Sequence, residues 1–197
     1  MNPRLLLVRI LSRAGYFIAS LPVAVLPPKD LIAFGRNRYA DDGAIQRFDR
    51  EAVDPELLAD ERLLLGALPA RRGRLLLLGM GAGREALPLA RAGFQVSGMD
   101  YVPGMLEKAI ENARRWGIEL DVLLQDFSSL DVPANAFDVI WMSRSMYSGV
   151  PARKRRIDML KRIRAALKPG GCFVCQFLWW PETREPRAVY AAKKIFA

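Results

Sequence analysis

Residues 75–109 read LLLLGMGAGREALPLARAGFQVSGMDYVPGMLEKA, and the order of features within them predicts the fold. Leu75 to Leu78 is an apolar run without polar alternation, ended by Gly79. Such a run is a strand covered on both faces, as in a parallel sheet. Gly79, Gly81 and Gly83 follow at once and open a helical stretch from Arg84 to Ala92, in which Pro88 is a weak point. Gln95 to Met99 reads as a second strand, and Asp100 ends it. Pro103 to Trp116 reads as a helix with proline near its start. A glycine loop between a strand and a helix is a place for a ligand. Backbone approaches a ligand closely only where side chains are absent, and the helix start offers free amides and the positive end of its dipole. In an open parallel sheet, ligands bind beyond the carboxyl ends of the strands. A dinucleotide fingerprint, G-x-G-x-x-G, would need glycine at position 84, where Arg84 stands; the pattern here is G-x-G-x-G. Asp100 stands where an acid accepts hydrogen bonds from both hydroxyls of a ribose. These residues point to an adenosine-type ligand and away from a dinucleotide.

The alternation continues downstream. Leu120–Leu124 and Phe137–Met142 read as the third and fourth strands. Arg153–Leu167 reads as a helix with Ile157, Leu160, Ile163 and Leu167 on its apolar side, stopped by Pro169-Gly170-Gly171, and Cys172–Leu178 as the fifth strand. Strands alternating with helices through short links give a Rossmann-like, doubly wound, mostly parallel α/β sheet in three α/β/α layers.

Upstream the character differs. Leu5 to Leu26 is strongly apolar, interrupted by Arg9, Ser12 and Arg13. Its uncharged part, Ala14–Pro28, is short for a membrane span, which needs about 20 residues. Basic residues before an apolar run resemble a signal peptide, but Pro27-Pro28 ends the run where a small-residue cleavage site would be. Residues 1–53 therefore read as an apolar, helical extension that packs on the domain or lids its pocket, with peripheral membrane contact through residues 4–26 as the sharper alternative. Residues 30–50 are mixed and polar, with Asp41-Asp42-Gly43 as a turn. Asp54-Pro55-Glu56 reads as a helix start, Asp54 as N-cap, opening a domain over 54–197.

Composition narrows the chemistry. The 197 residues hold one domain with a core and contain no histidine. The usual metal ligand and neutral-pH proton shuttle are therefore missing, and no metal site is expected. Cys172 and Cys175 have C-x-x-C spacing, but they fall in a strand with no second ligand pair, and read as small buried apolar residues of a reduced, cytoplasmic chain. The net charge of +9 is concentrated: Arg144–Lys168 carries nine basic residues and one acid, Asp158. A basic helix is commonly a solvated face, and no aromatic interleaving marks a nucleic-acid groove.

The quoted stretch resembles the opening of class I S-adenosylmethionine-dependent methyltransferases. Further matches follow in order: Gln125-Asp126 after the third strand, Phe137-Asp138-Val139-Ile140 in the fourth, and Leu167-Lys168-Pro169-Gly170-Gly171 before the fifth. The resemblance covers about residues 60–178 and implies S-adenosylmethionine as cofactor. It implies that Gly79, Met80, Gly81 and Gly83 pass close to the methionine and ribose portions, and that Asp100 holds the ribose hydroxyls. Tyr101 and Val102 would flank the adenine with Met105 near it. Gln125 and Asp126 would recognise the adenine, Asp126 accepting from its amino group and Phe127 lining the ring. Met142 and Ser143 would lie near the sulfonium. For Asp100 the plain alternative is a cap before Pro103, and for Asp126 an Asx turn before Ser128.

Two departures from the family pattern matter. Many relatives carry an acid two residues before the first glycine; here that residue is Leu77. Relatives also add a helix and two antiparallel strands after the fifth strand, and Trp179–Ala197 is about half of what that needs. The expectation is a domain lacking its last two strands.

The cofactor supplies the leaving group, so the protein mainly aligns and dehydrates the reactants, and no catalytic residue is named by motif. Tyr147 and Arg144, after the fourth strand, are the candidates; a pocket-wall aromatic and a solvent-facing arginine are their plain alternatives. The expected function is methyl transfer to a small-molecule acceptor. The alternatives are a lipid or quinone methyltransferase at the membrane surface, a nucleic-acid methyltransferase using residues 153–168, and a non-catalytic cofactor-binding relic. The acceptor and the oligomeric state are not legible.

Overall fold

In the computed structural model, residue 15 and residues 25–177 are described. Five strands form one sheet in the order β3-β2-β1-β4-β5. They are β1 (Gly73–Leu78), β2 (Phe94–Asp100), β3 (Asp121–Leu124), β4 (Phe137–Met142) and β5 (Leu167–Cys175). Every pairing is parallel. The order reverses beside β1, which has β2 on one side and β4 on the other. This is the switch point where doubly wound sheets bind ligands, and the glycine loop leaves β1 there.

The helices are α1 (Pro28–Tyr39), α2 (Asp42–Val53), α3 (Ala59–Ala67), α4 (Ala86–Arg91), α5 (Pro103–Arg115), α6 (Met146–Gly149) and α7 (Arg153–Ala166), with a 3-10 turn at Phe127–Ser129. Two apolar layers enclose the sheet, as the period-2 alternation of strand side chains requires. Leu75, Leu77, Val139, Trp141 and Val174 pack with Leu68, Leu89, Leu106 and Ala109 on one face. Leu76, Leu78, Met99, Ile140 and Met142 pack with Phe127, Leu130, Met159 and Ile163 on the other. Leu75 to Leu78 are all fully buried, which is why the run shows no polar alternation.

Several local readings are corrected. Residues 28–53 form two helices, as a helical extension implies, and the chain breaks at Leu26-Pro27, between helical Val25 and α1. Asp41 is an N-cap whose carboxylate accepts from the Gly43 amide at 3.0 Å. Asp54 is the C-cap of α2, and α3 starts later, after Leu58. The Leu58 amide donates to Glu61 at 2.7 Å, so Glu61, three residues in, supplies the start signal. β5 begins at Leu167, so the expected stop Pro169-Gly170-Gly171 lies inside the strand. Its register against β4 jumps from Phe137↔Leu167 to Val139↔Cys172, an irregularity that absorbs the turn residues, with Gly170 at φ 78°.

Among the described residues, 35–177 belong to one compact unit and 25–34 to another. Within the first, α2 packs on α5: the Asn112 amide donates to Asp49 at 3.0 Å, and Ile45 lies against Gly104. Of the apolar segment 4–26, all but Gly15, Val25 and Leu26 lies outside the described residues, as does the tail after Phe177. No described helix is long and apolar enough to cross a membrane.

Candidate functional site

The site is built on the carboxyl ends of β1, β2 and β4. After Leu78 the chain turns through Gly79, Gly81 and Gly83 with φ of 76°, 54° and 99°. An L side chain is strained at these angles, so three alternate positions in one short loop need glycine. The Gly79 and Met80 amides donate to the Met99 carbonyl at 2.8 and 3.0 Å, tying the loop to β2. The Met80 side chain turns inward and packs on Gly98 of β2, so only its backbone belongs to the loop surface.

Asp100 is 7% exposed. Its carboxylate accepts from the Gly81 amide and from the Val102 amide, each at 3.0 Å. Burial raises its pKa, and the amides of Gly81 and Val102 act against that. The carboxylate thus bridges the glycine loop to the end of β2, which sets both elements around one point. The Tyr101 hydroxyl sits near Gly35, and burial with the neighbouring Asp100 charge pushes its pKa up. Met105 and Val102 are buried behind it.

Two side chains roof the loop. Phe48 of α2 lies against Gly81, where an added Cβ would sit 3.5 Å from its ring. Tyr39 packs on Phe48 at 6.0 Å between ring centroids. Met146 of α6 lies against Gly79. Tyr39 and Phe48 both belong to the segment 1–53. Ser145 precedes α6 with φ 68°, a strained backbone that carries the chain back over the loop.

Beyond β3, the Gln125 side chain closes a small loop by accepting from the Asp131 amide at 2.8 Å and donating to the Asp131 carbonyl at 3.2 Å. Asp126 accepts from the Ser128 amide at 2.8 Å, the Asx turn. It also pairs with Arg155 of α7 at 2.9 Å, and Arg155 donates to the Ser128 hydroxyl at 2.7 Å. Both Asp126 oxygens therefore have partners inside the protein. Phe127 and Met142 are buried in the layer beneath. Tyr147 packs on Phe177 at 6.2 Å, and Arg144 is exposed.

Sequence reading missed Glu85, Glu61 and Arg84. Glu85 precedes α4 and is 4% exposed; Glu61 of α3 is fully buried. Arg84 donates to both Glu61 oxygens, at 2.8 and 2.7 Å, and to Glu85 at 2.7 Å. The Ser143 hydroxyl donates to the other Glu85 oxygen. Ser143 follows β4, and its amide donates to the Leu78 carbonyl at 3.0 Å, directly before Gly79. Burial and the hydrogen bond shared with Glu61 push the Glu85 carboxyl up to about 7, against the opposing effects of Ser143 and Arg84. Burial would also raise Glu61, but Arg84, Glu85 and the Leu58 amide together bring it down to about 2. The signal in the sequence was Arg84-Glu85 directly after the last glycine, two charged residues of opposite sign at the start of the expected helix.

The glycine loop, the bridging carboxylate and the switch point fit S-adenosylmethionine, an adenosine bearing an amino acid. Among the described residues no cluster of His, Cys, Asp or Glu could hold a metal ion.

Comparison with known proteins agrees. A family model described as "Methyltransferase domain" matches residues 75–171. The chain is 30% identical over 145 residues to a ubiquinone biosynthesis O-methyltransferase of Roseobacter denitrificans, covering 74% of this chain and 50% of that protein. It is 32% identical over 127 residues to an S-adenosyl-L-methionine-dependent Diels-Alderase of Talaromyces variabilis, covering 61% and 42%. It thus spans half or less of the curated relatives it matches. A putative S-adenosylmethionine-dependent methyltransferase structure from Methanococcus maripaludis shares the fold with a TM-score of 0.57 at 16% identity, covering 68% of this chain and 62% of that one. The chain thus belongs to the class I S-adenosylmethionine-dependent methyltransferases.

Proposed function

We propose that the chain is the cofactor-binding part of an enzyme that transfers a methyl group from S-adenosylmethionine to a small-molecule acceptor, at an oxygen atom. The observation that carries this reading is the buried Asp100 carboxylate, held between the Gly81 and Val102 amides at the mouth of the glycine loop. The oxygen acceptor rests on the likeness to a ubiquinone biosynthesis O-methyltransferase.

The cofactor supplies a methyl group on a sulfonium, already activated for displacement. The protein's share is to bind, orient and exclude water. Asp100 would hold the ribose hydroxyls, and Gly79 and Gly81 would admit the ligand against the backbone. Phe48 and Met146 would close over it and shut out water. Tyr101 and Met105 would bound the adenine side. Asp126, whose oxygens each accept one hydrogen bond, from Ser128 and from Arg155, would accept from the adenine amino group with a remaining lone pair. Tyr147 and Arg144, which follow β4, would face the acceptor.

A second reading has one specific support, the Diels-Alderase relative: the cofactor would serve a reaction other than methyl transfer. One experiment separates the two. S-adenosylhomocysteine release is followed with the chain, S-adenosylmethionine and a panel of phenols, catechols, carboxylic acids and amines, with Asp100→Ala as control. Release that requires a phenol or catechol and is lost in the variant supports the proposal. Tight binding of S-adenosylhomocysteine without release for any acceptor would overturn it in favour of the second reading.

A further inference from the structure

We propose that Glu85, with Ser143, receives the ammonium group of the cofactor's amino-acid portion, and that it gives up a proton when it does so. This rests on the cofactor-binding reading above and adds to it a residue that supplies the contact missing at Leu77.

The first argument is charge balance. Two buried carboxylates, Glu61 and Glu85, share one guanidinium, Arg84. Fully ionised, the group has one negative charge in excess, and an uncompensated buried charge is strongly disfavoured. Burial and Glu61 raise the Glu85 pKa to about 7, so the pair relieves this by holding a proton below that pH. A cation brought to Glu85 would relieve it instead.

The second argument is position. Glu85 reaches Ser143, the residue directly after β4, whose amide is bonded to the Leu78 carbonyl. That places the carboxylate at the junction of β1 and β4, beside the first glycine. Asp100, on the other side of the loop at the end of β2, takes the ribose end. The two acids therefore flank the loop from opposite sides, as a ligand with a diol at one end and an ammonium at the other requires. Glu61 already accepts three hydrogen bonds, one from the Leu58 amide and two from Arg84, whereas each Glu85 oxygen accepts only one and keeps a lone pair for a further donor. Leu77, where relatives carry an acid, is fully buried among apolar side chains.

The charged groups around Glu85 are Glu61 from α3, Arg84 from its own loop and, acting on Arg84, Glu51 from α2. Asp100 is the other acid of the site whose pKa burial raises. The titration of Glu85 near 7 makes the linkage measurable at neutral pH. Affinity for an ammonium-bearing ligand should rise about tenfold from pH 6 to pH 8, almost all of it below 7.5.

The test is calorimetry on the full chain with two probes. S-adenosylhomocysteine has the amino-acid portion; 5′-methylthioadenosine has the same ribose and adenine without it. Each is titrated at pH 6, 7 and 8 in two buffers of unlike ionisation enthalpy. Expected for S-adenosylhomocysteine is release of close to one more proton at pH 6 than for methylthioadenosine, falling toward zero at pH 8. The methylthioadenosine arm removes any contribution from Asp100. Glu85→Gln should weaken S-adenosylhomocysteine roughly ten- to hundredfold, the scale of a charge-assisted hydrogen bond. It should leave methylthioadenosine unchanged and abolish the extra proton. Ser143→Ala keeps the carboxylate and should retain the proton release. Equal proton release for the two probes, in a wild-type chain that binds both, would overturn the role of Glu85 whether or not Glu85→Gln folds. Failure of the wild-type chain to bind either probe would overturn the cofactor-binding reading itself.

Discussion

Two groups of charged residues in this protein use the same chemistry in opposite surroundings. Glu61, Arg84 and Glu85 meet at the carboxyl ends of the strands, with side chains 0%, 23% and 5% exposed. The basic helix α7 carries Lys154 paired with Asp158 at 2.8 Å, with side chains 89% and 43% exposed. Coulomb attraction rises as water is excluded, and exposed pairs are screened by solvent and salt. The charges of the first group are therefore strongly coupled to one another, while the second is mostly a solvated surface. Several α7 cations also have internal duties: Arg155 binds Asp126, Arg156 the Val150 carbonyl and Arg162 the Leu130 carbonyl. The net charge of +9 is thus a poor guide to what the protein binds. Where a charge sits matters more than how many there are.

The contrast can be broken from its buried end. Gly81→Val should have the largest effect, weakening S-adenosylhomocysteine binding by more than roughly a hundredfold. A branched side chain there faces Phe48 and must adopt φ 54°. Circular dichroism and calorimetry on one preparation check it; near-normal affinity would place the ligand elsewhere. Arg84→Met should destabilise the fold by about 3 kcal/mol, the low end for removing one partner of a buried ion pair, because Arg84 keeps some exposure. Thermal denaturation should show it as a drop of roughly 10 °C; an unchanged midpoint would mean the network contributes nothing. Asp100→Ala should weaken the same ligand by roughly 1.5–3 kcal/mol, and a folded variant with wild-type affinity would remove Asp100 from the site.

The ligand-free protein should also show opposed pH slopes. Glu85 titrates near 7 in the fold against 4.5 ordinarily, so the folded chain holds a proton that the unfolded chain has released. Stability from this group is present below about 4.5 and is lost as pH rises toward 7. Glu61, held near 2, contributes stability above about 4.5 that is lost as pH falls toward 2. Denaturant midpoints at several pH values should fall from pH 5 to 7 in the wild type and flatten in Glu85→Gln; parallel curves would contradict the assignment. At the surface end, Lys154→Ala should produce no measurable change in melting temperature, and a clear drop would show that α7 is more than a solvated face.

How much was legible follows the same division. β1, the glycine loop, β2 and β4 were readable because burial on both faces leaves an unbroken apolar run, and because positive φ demands glycine. Asp100 was readable from its place at the end of a strand. The helical character of residues 28–53 was readable, but the bounds and packing of α1 and α2 were not, because their polar sequence hides capping by Asp41 and packing through single residues such as Ile45 and Asp49. β5 was misplaced because Pro169 and Gly170 signal a stop, whereas the strand absorbs them as an irregularity. The partners of Asp126 could not be foreseen because Arg155 lies 29 residues away. Glu61 and Glu85 were missed for the same reason: 24 positions separate two acids that meet only when α3 packs beside the loop.

One feature of β5 bears on handling the protein. Cys172 packs with the layer that contains Leu77 and Trp141, and Cys175 with the layer that contains Met142 and Ile163. Residues three apart in a strand point to opposite faces, so the sheet itself separates the two thiols despite their C-x-x-C spacing. Burial pushes the Cys175 thiol pKa up, which slows its reaction further. The pair is therefore useful as two independent reporters. A maleimide or fluorinated tag on each single-cysteine variant would follow one helical layer at a time, and ligand binding could be assigned to the side that responds.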